Sequence, residues 1–599
     1  TVLDPACGSG HILVEAYDCL KAIYLERGYR SRDIPRLILE NNLYGIDIDT
    51  RAAQLASFAL LMKAREDDRR LFSNPPKLNI IALQDSQPER LEAFNQDLTS
   101  TGIAQADLKE LLDLFEHAST FGSLIQIPEA FAKKLPDLES KLNTAAASGD
   151  IFSQQSAQEL LPLVQQAKIL AKKYDAVIAN PPYMGGKGMN TALKDFAKKK
   201  FPDSKSDLFA MFIERGFEWC KNSGFNSMVT MQSWMFLSSY EAMREKLLQY
   251  RTIQTMAHLG ARAFPEISGE VVQTTAFVMQ GKHLDGFKPV FFRLVDTAQD
   301  SKEIELKAGL NRFDSTIQDD FKKKIPGSPI AYWASEDILK IFNSFDKLSL
   351  LVKTREGLTT GSNEKFLRLW QEVDLNNIGF NITNNNEAYQ SQKKFFPYIK
   401  GGEFRRWSGN REYIVNWYND GEEVKNLIDS DTGRIRSHNY NGQYGFQSGF
   451  TWSGISSGTF AVRFVPSGYM FDAKGPMGFI IDKFNSKKIL AFLNSSITNH
   501  FIRMLAPTMD FKLGHILNLP IIKDSYNTLD ILVEKAIDLS TYDWNSYETS
   551  WDFTQNPIIG MNKPNLEQAF NTWQQQNSDA VAEMKRLEEE NNKLFIDAY

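Results

Sequence analysis

The amino-acid sequence predicts an α/β protein: a mostly parallel sheet broken by a helical insertion, then a mixed α+β unit and a helical tail. Three observations predict it. The first third alternates short apolar runs with longer segments whose apolar residues recur at three-to-four spacing, as strand-helix units on a parallel sheet do. Composition then shifts, with 18 aromatics among the 90 residues of 391–480 against 53 in the remaining 509. The last seventy or so residues return to helical periodicity and end in a charged amphipathic stretch.

Taken in order, Thr1–Asp4 ends a first strand, Asn42–Asp47 forms a second, Leu78–Leu83 a third and Tyr174–Ala179 a fourth. Helices over Leu13–Leu25 and Ala52–Ala64 lie between them, and 87–173, rich in Leu, Gln, Ala and Glu, reads as a helical insertion. A helix over Asp207–Gly224, a strand over Ser227–Gln232, a helix over Ser239–Tyr250 and a strand over Thr274–Gln280 complete a first domain, 1–285. Residues 286–350 read as a charged connector with one helix near Ala334–Phe345. The aromatic, Gly/Asn/Ser-rich segment 351–528 reads as an irregular, mostly β recognition unit, and 529–599 as a helical C-terminal region.

Length and composition exclude several classes. At 599 residues the chain is long enough for several compact units. It has no apolar run long enough to span a bilayer, so a membrane-spanning protein is not expected. Its three cysteines, Cys7, Cys19 and Cys220, cannot build a disulfide framework or a four-thiolate zinc site, and none lies at ligand spacing from a histidine. A reduced, cytoplasmic location is expected, with no metal. The chain opens without Met inside a strand, so further residues are expected upstream.

The chemistry-bearing residues cluster at strand ends. Asp4, Pro5, Ala6, Cys7, Gly8, Ser9 and Gly10 link a strand to a helix, where glycines permit a tight turn and close approach of backbone to a ligand. The second strand ends in Gly45, Ile46, Asp47, Ile48 and Asp49. Asp47 is the better ribose ligand because it ends the apolar run, with Ile48 beside it; Asp49 suits the cap of the next helix, Thr50 competing. The pair points to a nucleoside cofactor. Asp85, after the third strand, is placed beside the cofactor's adenine or serves as a turn or cap residue.

Asn180, Pro181, Pro182 and Tyr183 follow the fourth strand directly. An exocyclic adenine amine is a poor nucleophile because its lone pair is delocalised into the ring. The Asn180 oxygen and the Pro181 carbonyl can accept its two N–H groups, the prolines stiffen the turn, and Tyr183 can stack on an extruded base. A second copy, Asn74-Pro75-Pro76-Lys77, follows polar residues and lacks the aromatic; it reads as a plain turn.

The order of these three motifs resembles S-adenosylmethionine-dependent N6-adenine DNA methyltransferases of the gamma arrangement, in which target recognition follows catalysis. The resemblance implies a Rossmann-like methyltransferase domain with a mostly parallel seven-stranded sheet, and Phe264, in Gly260–Glu266, as the second aromatic sandwiching the base. Ser206–Phe236 resembles the family's helix and strand after the catalytic loop. With the insertion and Phe395–Trp407, the chain looks most like the PglX-type methyltransferases of BREX phage-defence systems. That implies S-adenosyl-L-methionine as cofactor, double-stranded DNA as substrate, a methyl mark on one adenine of a short site as self-recognition, other BREX proteins as partners, and phage-encoded DNA-mimic inhibitors as further ones.

The net charge of -6 hides a division: 391–520 carries 16 Lys/Arg against 10 Asp/Glu. Lys393, Lys394, Lys400, Arg405 and Arg406, interleaved with Phe395, Phe396, Tyr398 and Trp407, suit phosphate neutralisation, or else a basic solvated loop. Arg434, Arg436, His438, Asn439 and Asn441 are expected to read base edges. Lys187, Lys194, Lys198, Lys199, Lys200 and Lys205 face only Asp195 and Asp203, beside a Gly185/Gly186/Gly188 loop expected to be mobile and to grip the backbone around the extruded base. Two alternatives remain open. One is the methyltransferase-specificity part of a fused type II restriction-modification enzyme, whose only nuclease look-alike here, Asp137 with Glu139 and Lys141, is too compact. The other is a non-catalytic DNA-recognition subunit.

Overall fold

The structure, a computed structural model, describes every residue except 265–271, 431, 456–458, 482–485, 507–510 and 523–528, and the side chains of 323 and 324. The chain divides into two units, 1–323 with 327–333, and 324–326 with 334–599.

In the first unit β1 (Val2–Asp4), α1 (His11–Glu26), β2 (Leu43–Asp47), α2 (Thr50–Asp67) and β3 (Asn79–Ala82) build strand-helix repeats. The insertion follows, with α3 (Gln105–Phe115), α4 (Leu135–Ala146) and α5 (Ile151–Ala171) as its main helices, and then β4 (Tyr174–Ala179), α6 (Thr191–Lys200), α7 (Leu208–Trp219), β5 (Cys220–Met231), α8 (Glu241–Tyr250), β6 (Thr252–Ala261) and β7 (Gln273–Gln280). The sheet order is β3-β2-β1-β4-β5-β7-β6, extended by β8 (Val290–Arg293) and β9 (Arg312–Phe313). Strands β3 to β5 run parallel and β7 is antiparallel to both neighbours, so the C-terminal ends of β1, β2, β4, β5 and β6 meet at one edge.

The sheet is buried on both faces, as a parallel sheet requires. On one side Leu13 and Tyr17 of α1 pack with Ala56 and Leu60 of α2; on the other, insertion residues such as Leu112, Phe115 and Val164 join the buried apolar residues of α7. Leu108, Leu111, Leu112 and Phe115 on α3 show how the insertion's helical period becomes a core face.

Two expectations need correction. The sheet has nine strands among the described residues, not seven, and β6 was not recognised, because its polar residues break the apolar pattern. Thr252 and His258 are nonetheless buried, with Thr252 donating to the Lys282 carbonyl at 2.7 Å. The connector expected over 286–350 is divided between the two units: β8 hydrogen-bonds onto β6 and β9 onto β8, so the first unit runs to 333, while the helix Glu336–Ser344 belongs to the second.

The second unit holds two four-stranded sheets. One is ordered Leu367–Leu369, Tyr413–Asn416, Phe395–Ile399, Met470–Phe471; the other Val352–Arg355, Met477–Ile480, Gly449–Trp452, Val462–Val465. Helices α9 (Leu529–Asn545) and α10 (Leu566–Ala598) close the chain. No helix among the described residues is long and apolar enough to cross a membrane.

Candidate active site

The first part of the site is the turn after β1. Gly8 and Gly10 both have positive φ, +51° and +86°, a region that glycine enters without penalty. Gly10 also has no room for a side chain, since a Cβ would lie 2.9 Å from Ala56 Cα where α1 meets α2. Gly8 differs: nothing lies within 4 Å of its Cβ position, so its backbone faces open space. Its N–H donates to Asp47 Oδ2 at 2.8 Å, and Asp47 Oδ1 accepts from the Asp49 N–H at 2.9 Å. Asp49 in turn caps α2, accepting from the Arg51 N–H at 2.7 Å. Asp49 thus takes the capping role weighed for it, while Asp47 holds the glycine turn.

Asp4, 1% exposed, accepts from the Ala6 N–H, and burial, aided by the Asp47 charge, pushes its carboxyl up to about 7. Cys7 is buried, its N–H bonded to the Ile46 carbonyl, and its thiol is raised by burial. Ile48 is 55% exposed, an apolar surface beside the Asp47 carboxylate. Gly122 of the insertion approaches it, and Ser123 donates to the Pro5 carbonyl at 2.5 Å. The insertion therefore forms a wall of the site, a role its sequence did not signal.

Asp85 is a capping residue in this structure. Its two carboxylate oxygens accept from the Ser119 N–H and hydroxyl, each at 2.7 Å, at the start of the short helix Ala118–Phe121. The adjacent Gln84 N–H donates to Gln166 Oε1 of α5 at 2.7 Å, so the end of β3 is stitched to the insertion.

The second part follows β4. Asn180 is exposed, Pro181 buried, Pro182 exposed and Tyr183 half-buried. The Tyr183 hydroxyl lies 3.4 Å from Asn180 Oδ1 and 3.3 Å from the Val229 carbonyl of β5. Burial and the Asp207 charge raise its phenol to about 12, so it stays neutral. Asp207, which sequence reading did not single out, accepts from the Met184 N–H at 2.9 Å while capping α7; the Ser-Asp-Leu sequence before an apolar helix was the available signal. The glycine segment after Tyr183 is tied to the start of α7 and followed by α6. Gly186 donates to the Ser206 carbonyl, and α6 buries Leu193 and Ala197. Lys187, Lys198, Lys199, Lys200 and Lys205 stand exposed on it.

Phe264 is half-buried in the turn after β6, at the same sheet edge; the segment that follows, 265–271, lies outside the described residues. Beneath this edge His258 Nε2 meets Gln232 Oε1 at 2.5 Å and Nδ1 meets the Tyr332 hydroxyl at 3.0 Å. Burial, then Arg293 and Lys302, hold its ring down to about 3, so it is neutral.

The expected DNA-contacting residues fare unevenly. Arg405 pairs with Asp543 of α9, and Arg406 with Glu588 of α10 at 2.6 Å, while the Trp407 indole donates to the same Glu588 at 3.1 Å. These arginines fasten the C-terminal helices instead of projecting from the surface. Phe396, Tyr398 and Trp407, at most 1% exposed, are core residues for the same reason. Lys393 donates to the Asn376 carbonyl at 2.5 Å, Lys400 lies over the Tyr413 ring at 4.6 Å, and Lys394 is exposed. Arg434 is exposed; Arg436, also exposed, lies 3.9 Å from Asp429. Lys141 pairs with Asp137 one helical turn away and Glu139 with Lys168, which disposes of the nuclease look-alike.

A Rossmann-like sheet with an acidic strand end bonded to a glycine turn, and Asn-Pro-Pro-Tyr at the end of the adjacent strand, defines the methyltransferase class. A family model described as Eco57I restriction-modification methylase matches residues 41–264. The adenine-specific methyltransferase BrxX of Escherichia coli O9:H4 (strain HS) is 49% identical over 93% of this chain and 47% of its own length. The adenine-specific methyltransferase PglX of Lacticaseibacillus casei (strain Zhang) is 43% identical over 100% of this chain and 51% of its own. The chain is thus similar to adenine-specific methyltransferases along nearly its whole length, and spans about half the length of these curated relatives. The type IIL restriction-modification enzyme MmeI, solved in complex with DNA, shares the fold: TM-score 0.52 at 15% identity, covering 99% of this chain and 73% of that one.

Proposed function

We propose that this chain is the catalytic and target-recognition part of a DNA adenine methyltransferase that uses S-adenosyl-L-methionine. The observation that supports it most is the placement of Asn180–Tyr183 at the end of β4, beside β1, whose following turn presents Gly8 to open space with its N–H held by Asp47. That open glycine fits close approach of a nucleoside cofactor, which Asp47 would hold at the ribose, Ile48 flank at the base and Asp85 reach with its remaining lone pairs. When bound, the cofactor supplies an electrophilic methyl group on a sulfonium.

The chain's own residues supply the rest. Asn180 Oδ1 and the Pro181 carbonyl accept the two N–H groups of an adenine extruded from the duplex, freeing the N6 lone pair from the ring. Tyr183, neutral and braced against Val229, stacks on one face of that base, and Phe264 covers the other. Lys187, Lys198 and Lys199 hold backbone phosphates near the base; Lys394, Arg434 and Arg436 contact DNA from the recognition unit. We take 1–333 as the methyltransferase domain, 334–528 as the recognition domain and 529–599 as its helical brace. The relatives' names support adenine as the methylated base. On the resemblance to PglX-type methyltransferases we further propose a methyl mark of self in a BREX-type phage defence in the cytoplasm, with other defence proteins as partners and DNA-mimic inhibitors of phage as opponents.

The test is methyl incorporation from labelled cofactor by the full-length protein with its defence partners. Asn180→Ala should lower it by about a thousandfold while cofactor binding stays near wild type. Undiminished N6-methyladenine in that variant would overturn the mechanism, and an unmodified genome in cells carrying the intact system would overturn the activity.

A further inference from the structure

Helix α10 carries one seam of residues at alternating four and three spacing: Leu566, Phe570, Trp573, Asn577, Ala580, Met584, Leu587, Asn591. This is the repeat by which one helix packs along another. Its C-terminal part is partnered within the molecule: Leu587 and Asn591 are buried, Asn591 donates to the Ala491 carbonyl at 3.0 Å, and Glu588 beside them holds Arg406 and Trp407. The N-terminal part is only partly covered: it touches the short helix Pro557–Gly560, and Trp573, Asn577, Ala580 and Met584 are half-buried. It lines a concave pocket of about 900 Å³ whose walls include Tyr542, Phe553, Trp573, Val581 and Met584, with Val581 70% exposed and Leu566, at the end of the seam, 74%. An apolar concavity of this kind on an otherwise soluble surface marks an interaction site.

The rim fixes the charge of the occupant. Between 538 and 584 the sequence has seven acidic residues and one basic residue, Lys563, with Lys585 and Arg586 following and Glu583 paired to Arg586. Asp543 and Glu548 line the pocket itself. Asp543 is shared with Arg405, whose guanidinium also lies over the Trp544 ring. The two acidic side chains in the pocket lining disfavour DNA here and a second copy of the same face, whose lining carries the same sign.

We propose that the pocket between α9 and α10 docks a cationic amphipathic helix of a partner protein, its apolar residues continuing the α10 seam and its basic residues meeting Asp543 and Glu548. Through Asp543 and the Arg405 it holds, such a partner would contact the brace of the recognition unit.

The experiment titrates the full-length protein into a fluorescent three-heptad Leu/Lys peptide and follows anisotropy, with a scrambled peptide of the same composition and a Leu/Glu heptad as controls. The Leu/Lys heptad should bind at least about tenfold more tightly than either control. Val581→Arg should weaken it by about tenfold and Glu548→Gln by a few-fold, with melting temperatures unchanged because both side chains are exposed. Equal binding of the scramble, or affinity indifferent to Val581→Arg, would overturn the proposal. So would a concentration-dependent dimer in sedimentation that Val581→Arg abolishes, since the face would then belong to a second copy.

Discussion

The Asp47 carboxylate accepts the Gly8 N–H at 2.8 Å, tying the turn after β1 to the end of β2 across 39 positions of sequence. It also accepts the Asp49 N–H, so two backbone donors depend on it. Asp47→Ala leaves both without an acceptor, which costs about 1–3 kcal/mol where they are shielded from water. Calorimetric titration with S-adenosyl-L-methionine should show affinity lower by about ten- to a hundredfold. Wild-type affinity together with a wild-type melting curve would remove Asp47 from the site.

Asp207 fixes the position of the Tyr183 segment without reaching the open face of Gly8. Replacing it by Ala frees the Met184 N–H and the α7 cap together. The expected result is a methyl-transfer rate lower by about ten- to a hundredfold, because small misplacements of a positioning segment are expensive, with cofactor affinity nearly unchanged. A variant whose affinity falls while its turnover holds would place Asp207 on the cofactor side instead.

Arg405 and Arg406 belong to the brace, whereas the exposed lysines of α6 are the residues proposed to meet DNA. Arg406→Ala should lower stability by about 1–2 kcal/mol in urea unfolding, since Glu588 loses a partly buried partner, and should leave the salt dependence of DNA binding intact. Lys198→Ala and Lys199→Ala should do the reverse, each lowering the slope of log affinity against log salt by about one. If Arg406→Ala changes that slope as the lysine variants do, the arginine reaches DNA after all.

Stability should carry the signature of His258. Its ring is held down to about 3 in the folded chain against an ordinary value of 6.5. Between these pH values the unfolded chain binds a proton that the folded chain refuses, so this contribution to stability is full above about 6.5 and shrinks as pH falls. Asp4, raised to about 7, acts in the opposite sense, its contribution falling as pH rises from about 4 to 7. His258→Gln should therefore lose less stability than wild type between pH 7 and pH 4, by about 3 kcal/mol on an order-of-magnitude estimate. Parallel unfolding profiles for the two proteins would contradict the buried, neutral assignment.

Much of the site was legible because its motifs sit at strand ends. Tyr174–Ala179 is apolar without interruption, and a strand buried on both faces has to be; the residues after it must then emerge at the sheet edge. Glycines of the first turn were legible for a similar reason, as Gly10 admits no side chain beside Ala56. Less legible was β6, where His258 and Thr252 are buried with internal hydrogen-bond partners that a linear pattern does not show. The arginines of 405–406 misled because a cation among aromatics suits phosphate and Asp543 or Glu588 equally well, and only the partner's position in space distinguishes them.

The sequence by itself determined the strand-helix repeats, the Gly8/Asp47 and Asn180–Tyr183 motifs and their order, since periodicity and turn chemistry are local properties. Tertiary structure decided what lies more than one element away: the insertion closing over Pro5 and Ile48, Asp85 capping Ser119, Asp207 holding Met184, and the α10 seam being covered at Leu587 but open at Leu566. Each of these depends on which distant groups meet in space, and burial and charge pairing are fixed only when the chain has folded.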